Sequence, residues 1–154
     1  MSVYLLALAI GIVAGLRAMT VPAAVSWAAY LGALDLRGTW LAFLGHAWAP
    51  WILTLLALGE LVTDQLPSTP SRTVPVQFSA RVLTGALAGA AIGVAGGSWV
   101  GGAVAGAIGA VGGTLGGSAL RARLAAAFGR DRPAAFLEDA IAIGAALSIV
   151  KALP

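Results

Sequence analysis

The sequence predicts an all-α, polytopic transmembrane helical bundle, and three observations predict it. Of 154 residues, 60% are hydrophobic and a further 21 are glycine, giving a mean hydropathy of +0.95. Only 10% are charged, against about 25% in an ordinary soluble domain; nine basic and six acidic side chains cannot clothe a globular surface. The apolar residues also fall in runs close to the roughly 20 that a membrane helix needs. Together these exclude a soluble domain, and they exclude disorder, which requires low hydrophobicity and high charge. The length fits one integral membrane domain, residues 1–154, with about five spans and no extramembrane domain. The absence of cysteine removes disulfides and thiolate metal sites.

The first apolar segment runs from Val3 to Leu34, interrupted by Arg17 and Pro22. It is expected to be one long, kinked or broken span. The alternative is two short helices, 3–16 and 18–34, forming a re-entrant hairpin that leaves four full spans. No basic residue precedes the apolar run, so a signal peptide is not expected. The turn Asp35-Leu36-Arg37-Gly38 ends the segment. A second span is expected from Trp40 to Val62, with Trp40, Trp48 and Trp51 near one interface. Thr63 to Gln77 carries Pro67, Pro70 and Pro75 and reads as a stiff loop. A third span from Phe78 to Ala95 and a fourth from Trp99 to Leu120 are joined by the tight turn Gly96-Gly97-Ser98. An arginine-rich stretch, Arg121 to Arg132, precedes a fifth span from Pro133 to Val150.

With five spans, the positive-inside rule places Arg72, Arg81, Arg121, Arg123, Arg130 and Arg132 on the cytoplasmic side, against Arg37 and Lys151 outside. The N-terminus is then cytoplasmic and the C-terminus periplasmic or extracellular. A re-entrant first segment moves the N-terminus outside and leaves the other loops where they are. The charges are too few and scattered for nucleic acid. The bilayer is the expected partner.

Glycines recur every four residues at Gly85, Gly89 and Gly93, and again at Gly109, Gly113 and Gly117, with Gly112 and Gly116 in a parallel row. That spacing places small residues on one helix face, where backbones approach closely. The third and fourth spans are expected to pack through them as an antiparallel pair, within one chain or between chains.

A charge within a membrane costs about 2.5–3.5 kcal/mol on insertion scales, so each such charge marks a candidate site. Arg17 lies halfway along the first segment and calls for a buried carboxylate partner. Glu60 and Asp64 are one helical turn apart near the inner end of the second span. Glu138 and Asp139 start the fifth span on the same side, and Arg81 lies at a similar level. Glu60, Asp64, Glu138, Asp139, Arg17 and Arg81 are therefore the transport or ion-binding candidates; whether they take a metal is left open. Helix-end charges at the interface would explain Asp64 and Asp139 equally well. His46, the only histidine, reads as an interface residue. No nucleophile–base arrangement or phosphate-binding glycine loop is present, so neither an enzyme nor a cofactor is expected. Gly15-Leu16-Arg17-Ala18 resembles Ala119-Leu120-Arg121-Ala122 and suggests a weak inverted repeat of spans one–two and four–five.

The run Gly15-Leu16-Arg17-Ala18, the run from Gly59 to Pro67 containing Glu60 and Asp64, Arg81 followed by Thr84-Gly85-Ala86-Leu87, and Leu137-Glu138-Asp139 occur in this order. Across nearly the whole chain they resemble a family of small bacterial integral membrane proteins defined as a domain of unknown function. Some members carry a further Asp after the Pro of the second motif and a Pro after the arginine of the third. Here Ser68, Thr69 and Val82 stand in those places. The resemblance implies a helical protein of the bacterial cytoplasmic membrane and brings no activity with it. The expected function is a small transporter or channel-like permease for protons, cations or a small solute. It would act as a homo-oligomer, since one short chain has little room for a pathway. The alternative is a non-transporting scaffold or partner subunit assembled through its glycine faces.

Overall fold

The computed structural model describes residues 2–66 and 70–154. Within them the chain forms six α-helices: α1 (Val3–Leu16), α2 (Thr20–Tyr30), α3 (Ala49–Thr63), α4 (Pro75–Ala95), α5 (Trp99–Phe128) and α6 (Asp131–Lys151). A single 3-10 turn, Ala42–Gly45, lies between α2 and α3. Pro67, Ser68 and Thr69 of the second sequence motif lie outside the described residues. Three helices, α4, α5 and α6, are long and apolar enough to cross a membrane. At 15 residues, α3 falls short of the roughly 20 that crossing requires. The expected second span loses its first nine residues, because Trp40 to Trp48 form turns and the 3-10 segment instead.

Local chemistry explains the helix ends. Pro75 opens α4 in its first turn, where no amide partner is missed. Ser98 caps α5 by accepting from the Gly101 amide at 3.1 Å, and Gly129, with φ of +67°, ends it in the left-handed conformation that glycine adopts freely. Pro22 sits in the first turn of α2. Inside a continuous helix its ring would clash with the carbonyl four residues earlier; a break at Arg17–Met19 removes that clash.

The glycine-rich helices set the frame. Gly85, Gly89 and Gly93 of α4 press against Gly102, Gly106 and Ala110 of the antiparallel α5. Gly109, Gly113 and Gly117 do not share in this contact as expected: they face α1, against Leu8, Ile12 and Leu16. Gly109 and Ala110, adjacent in the chain, point about 100° apart on a helix, so α5 turns one toward α1 and the other toward α4, while Gly106 lies against both. Gly112 and Gly116 have open space beyond them.

The direction of α2 corrects the leading expectation for the first segment. The Tyr4 hydroxyl donates to the Gly96 carbonyl at 3.2 Å, so α1 starts at the end of the bundle that holds the α4–α5 turn, called here the turn end. Along α3, Trp51 and Thr54 meet Trp27, whereas Glu60 meets Ala18 and Met19, so α3 runs antiparallel to α2. Trp40 stacks edge-on against Trp99 at 5.5 Å, which puts the α2–α3 connection back at the turn end. Thus α1 descends into the bundle and α2 returns, a re-entrant hairpin with its vertex at Arg17–Met19. This is the alternative arrangement, not one broken span. Tyr4 and the end of α6, where Ile149 joins the same core as Leu6 and Ile10, consequently lie at one end of the bundle rather than at opposite ends. The inverted repeat also falls away, since α1 and α5 run in the same direction and Arg121 sits inside an unbroken helix.

Candidate functional site at the hairpin vertex

The vertex exposes the backbone ends of two helices inside the bundle, where water cannot satisfy them. Charged side chains do so. The Glu60 carboxylate accepts from the Ala18 amide at 2.8 Å and from the Met19 amide at 2.7 Å, at the positive end of the α2 dipole. The Arg81 guanidinium donates to the Leu16 carbonyl at 2.7 Å and the Gly15 carbonyl at 3.3 Å, at the negative end of α1. Glu60 and Arg81 are themselves 3.8 Å apart. One carboxylate and one guanidinium, from α3 and α4, hold the two halves of the break.

Arg17, at the vertex, is fully buried. Its Nε donates to Asp139 Oδ1 at 2.5 Å, and its terminal nitrogens contact Asp64 and Asp139. The carboxylate partner that its depth demanded is a pair, one from the end of α3 and one from α6. The Gln65 amide donates to the other oxygen of Asp139 at 3.3 Å. Glu138, also buried, receives Arg72 through both oxygens at 2.5 and 2.8 Å, and Arg121 at 3.4 Å. Arg121 forms a second forked pair with Asp131 at 2.9 and 2.6 Å.

All six charged candidates therefore gather at the end opposite the turn, in three sets: Glu60 with Arg81, Arg17 with Asp64 and Asp139, and Glu138 with its own arginines. Those arginines are Arg72 and Arg121. The arginine-rich stretch signalled Arg121, but Arg72 sits in a proline-rich loop whose local pattern reads as solvent-exposed. His46 is apart from all three, exposed at the end of the 3-10 turn. A cavity of about 290 Å³ opens beside the vertex, lined by Asp64, Arg72, Arg81, Arg121 and Asp131 together with Ser71 and Ser118. Toward the turn end the core is apolar: Leu6, Ile10, Val25, Ile92 and Ile149 fill it.

Fold and site define a helical membrane protein with a re-entrant hairpin braced by arginine–carboxylate pairs. The chain belongs to the family described as a domain of unknown function, DUF4126, whose model matches residues 4–152. Neither a curated protein nor a solved structure matches it.

Proposed function

We propose that the protein is a small permease whose moving part is the hairpin vertex at Arg17–Met19. One observation carries this reading: a helix break inside the bundle is held by side chains of other helices, and Arg81, one of those side chains, also lines a polar cavity beside it. Broken helices with charged or polar partners at mid-bundle are how transporters build solute sites. Irregular backbone at membrane depth persists where protein or a water-filled cavity satisfies it. The apolar core toward the turn end then closes the path on that side, as a state open to one side requires.

The scaffold alternative draws less support. The two triple glycine rows are occupied within the chain, α4 against α5 and α5 against α1, and of the expected rows the Gly112–Gly116 pair stands open. The carboxylates already carry arginine or amide partners, which favours a proton or small polar solute over a bare metal cation. Arg72, Arg121, Arg123, Arg130 and Arg132 mark the charged end as cytoplasmic by the positive-inside rule. The first helix then starts on the far side, in what we take to be a bacterial inner membrane. A homo-oligomer would shield the short α3, whose Leu55, Leu58 and Val62 are exposed.

The test is charge movement in proteoliposomes on solid-supported membranes, under proton, sodium and small-solute jumps. A current in wild type that disappears in a helical, monodisperse Glu60→Gln protein supports the permease. Silence under every gradient, with neither current nor solute uptake, overturns it.

A further inference from the structure

We infer that the groove between α3 and α6 is a lipid site, in which one acyl chain of a glycerolipid lies along α2 and its ester carbonyl accepts a hydrogen bond from the Thr20 hydroxyl. The site shares no residue with the charged cavity and holds whether or not the chain transports.

The groove follows from residue size. Its floor is α2, which packs against both α3 and α6. Ala23 and Ala24 of α2, Ala57 of α3 and Ala146 of α6 line it, and all four are buried. Side chains that end at Cβ leave a trough of about 220 Å³ between the walls. That is less than the roughly 300–1,000 Å³ of a small-molecule pocket and suits a single chain. From Thr20 to Trp27 the trough follows about two turns of α2, roughly 10 Å. Leu58 of α3 and Leu147 of α6 form its rim and are 54% and 53% exposed, so it opens on the hydrocarbon of the bilayer.

Thr20 says which part of a lipid belongs there. It is 8% exposed, lines the groove, and its hydroxyl has no hydrogen-bond partner. Inside a helix a threonine hydroxyl can turn back to the carbonyl four residues earlier, as Thr114 does to Ala110. For Thr20 that carbonyl is Leu16, which lies across the break and receives Arg81. A buried hydroxyl left unpaired is costly. One water would not relieve it, since an ordered water needs two to four polar partners and the Thr54 hydroxyl already accepts from Trp27 at 2.9 Å. A partner helix brings no free acceptor, because its carbonyls are bonded along its own axis. An ester carbonyl is a single acceptor on an apolar chain, which matches a single donor in an apolar trough.

The direction agrees. Helix α2 runs from the charged end toward the turn end, so a chain with its carbonyl at Thr20 points its tail toward Trp27 and the middle of the bundle. Its headgroup then lies on the charged side, where the glycerol of a lipid in that leaflet belongs. At 15 residues, α3 is shorter than the hydrocarbon layer. A short span thins the bilayer beside it, which draws the ester level inward toward Thr20.

The experiment is native mass spectrometry of the full chain released from nanodiscs of mixed diester and diether phosphatidylcholine with equal chain lengths. The diether lipid keeps chains and headgroup but lacks the carbonyls. Wild type should retain one phosphatidylcholine and prefer the diester by about 2- to 10-fold, the value of one hydrogen bond. Thr20→Val keeps the shape, removes the hydroxyl and should retain the two lipids equally. Ala57→Leu fills the trough and should lose both; Ala146→Leu fills it from the other wall and serves if the first variant does not fold. Gly112→Ala, on open α5 surface, should behave as wild type. Equal retention of the two lipids by wild type overturns the inference, as does a diester preference that survives in Thr20→Val. Lipid retention unchanged in a folded filling variant also overturns it, and a simultaneous change in oligomeric state would assign the groove to a second copy of the chain.

Discussion

Two regions of this bundle hold helices together by opposite means. Along most of α1, α4 and α5 the contact is glycine against backbone, and charge enters only near the vertex. At the vertex the hold comes chiefly from guanidinium and carboxylate groups against backbone ends and against each other. Lipid tails give no hydrophobic drive for helix association, so close van der Waals packing must serve instead. It permits one arrangement, because backbone cannot yield. Charged side chains, by contrast, can turn about their own bonds and exchange partners. The glycine region is thus the frame, and the vertex is held by side chains with rotatable stems.

The contrast is broken most severely in the frame. In Gly106→Leu the added side chain would overlap the Gly85 carbonyl. Overpacking usually costs about 1–3 kcal/mol and occasionally more; with backbone as the obstacle we expect the upper limit to be passed and no monodisperse protein on size exclusion. Gly112→Ala is the matched control. Open space surrounds that site, and a gain of up to about 1 kcal/mol should appear in the melting temperature.

Arg17→Gln should be next in severity, at about 3–5 kcal/mol, the range for removing one partner of a buried pair. Two buried carboxylates would then face each other with no cation. Loss should be partly reversed in the double variant with Asp139→Asn, which a melting comparison reads directly.

Glu60→Gln should cost about 1–3 kcal/mol and leave the helices formed. Its amide offers one acceptor oxygen for the two amides that the carboxylate receives. Hydrogen exchange should rise at Ala18 and Met19 while α4 and α5 stay protected.

The smallest effect lies outside the bundle core. Arg37 holds the exposed Asp35 carboxyl down from 3.8 to about 2, chiefly by side-chain hydrogen bonding. Because the folded value lies below the unfolded one, the pair's contribution is present above 3.8 and lost as pH falls through 2. Arg37→Ala should return the Asp35 titration toward 3.8, seen by carboxyl NMR, and leave neutral-pH melting unchanged, since exposed pairs contribute little.

Some of this was legible residue by residue. Arg17 at the centre of an apolar run had to find a carboxylate, because its charge is costly there. Pro22 just beyond it foretold a break. Glu60, Asp64, Glu138 and Asp139 were visible as charges in apolar surroundings. Arg72 was not, since nothing local distinguishes a loop arginine that faces solvent from one that reaches across to Glu138. Nor was the role of Glu60, whose partners are backbone amides that carry no sequence signal.

By itself the sequence determined the membrane class, the helical content and the residues too polar to be left unpaired. Composition, periodicity and the local chemistry of Pro and Gly are properties of short stretches, and they suffice for these. Only the tertiary structure decided that α2 turns back, that the glycine rows of α5 serve two different helices, and that Arg17 meets a carboxylate 122 residues away. Those outcomes depend on which faces meet across long sequence separations. The balance of close backbone packing against the cost of buried charge sets them over the whole bundle at once.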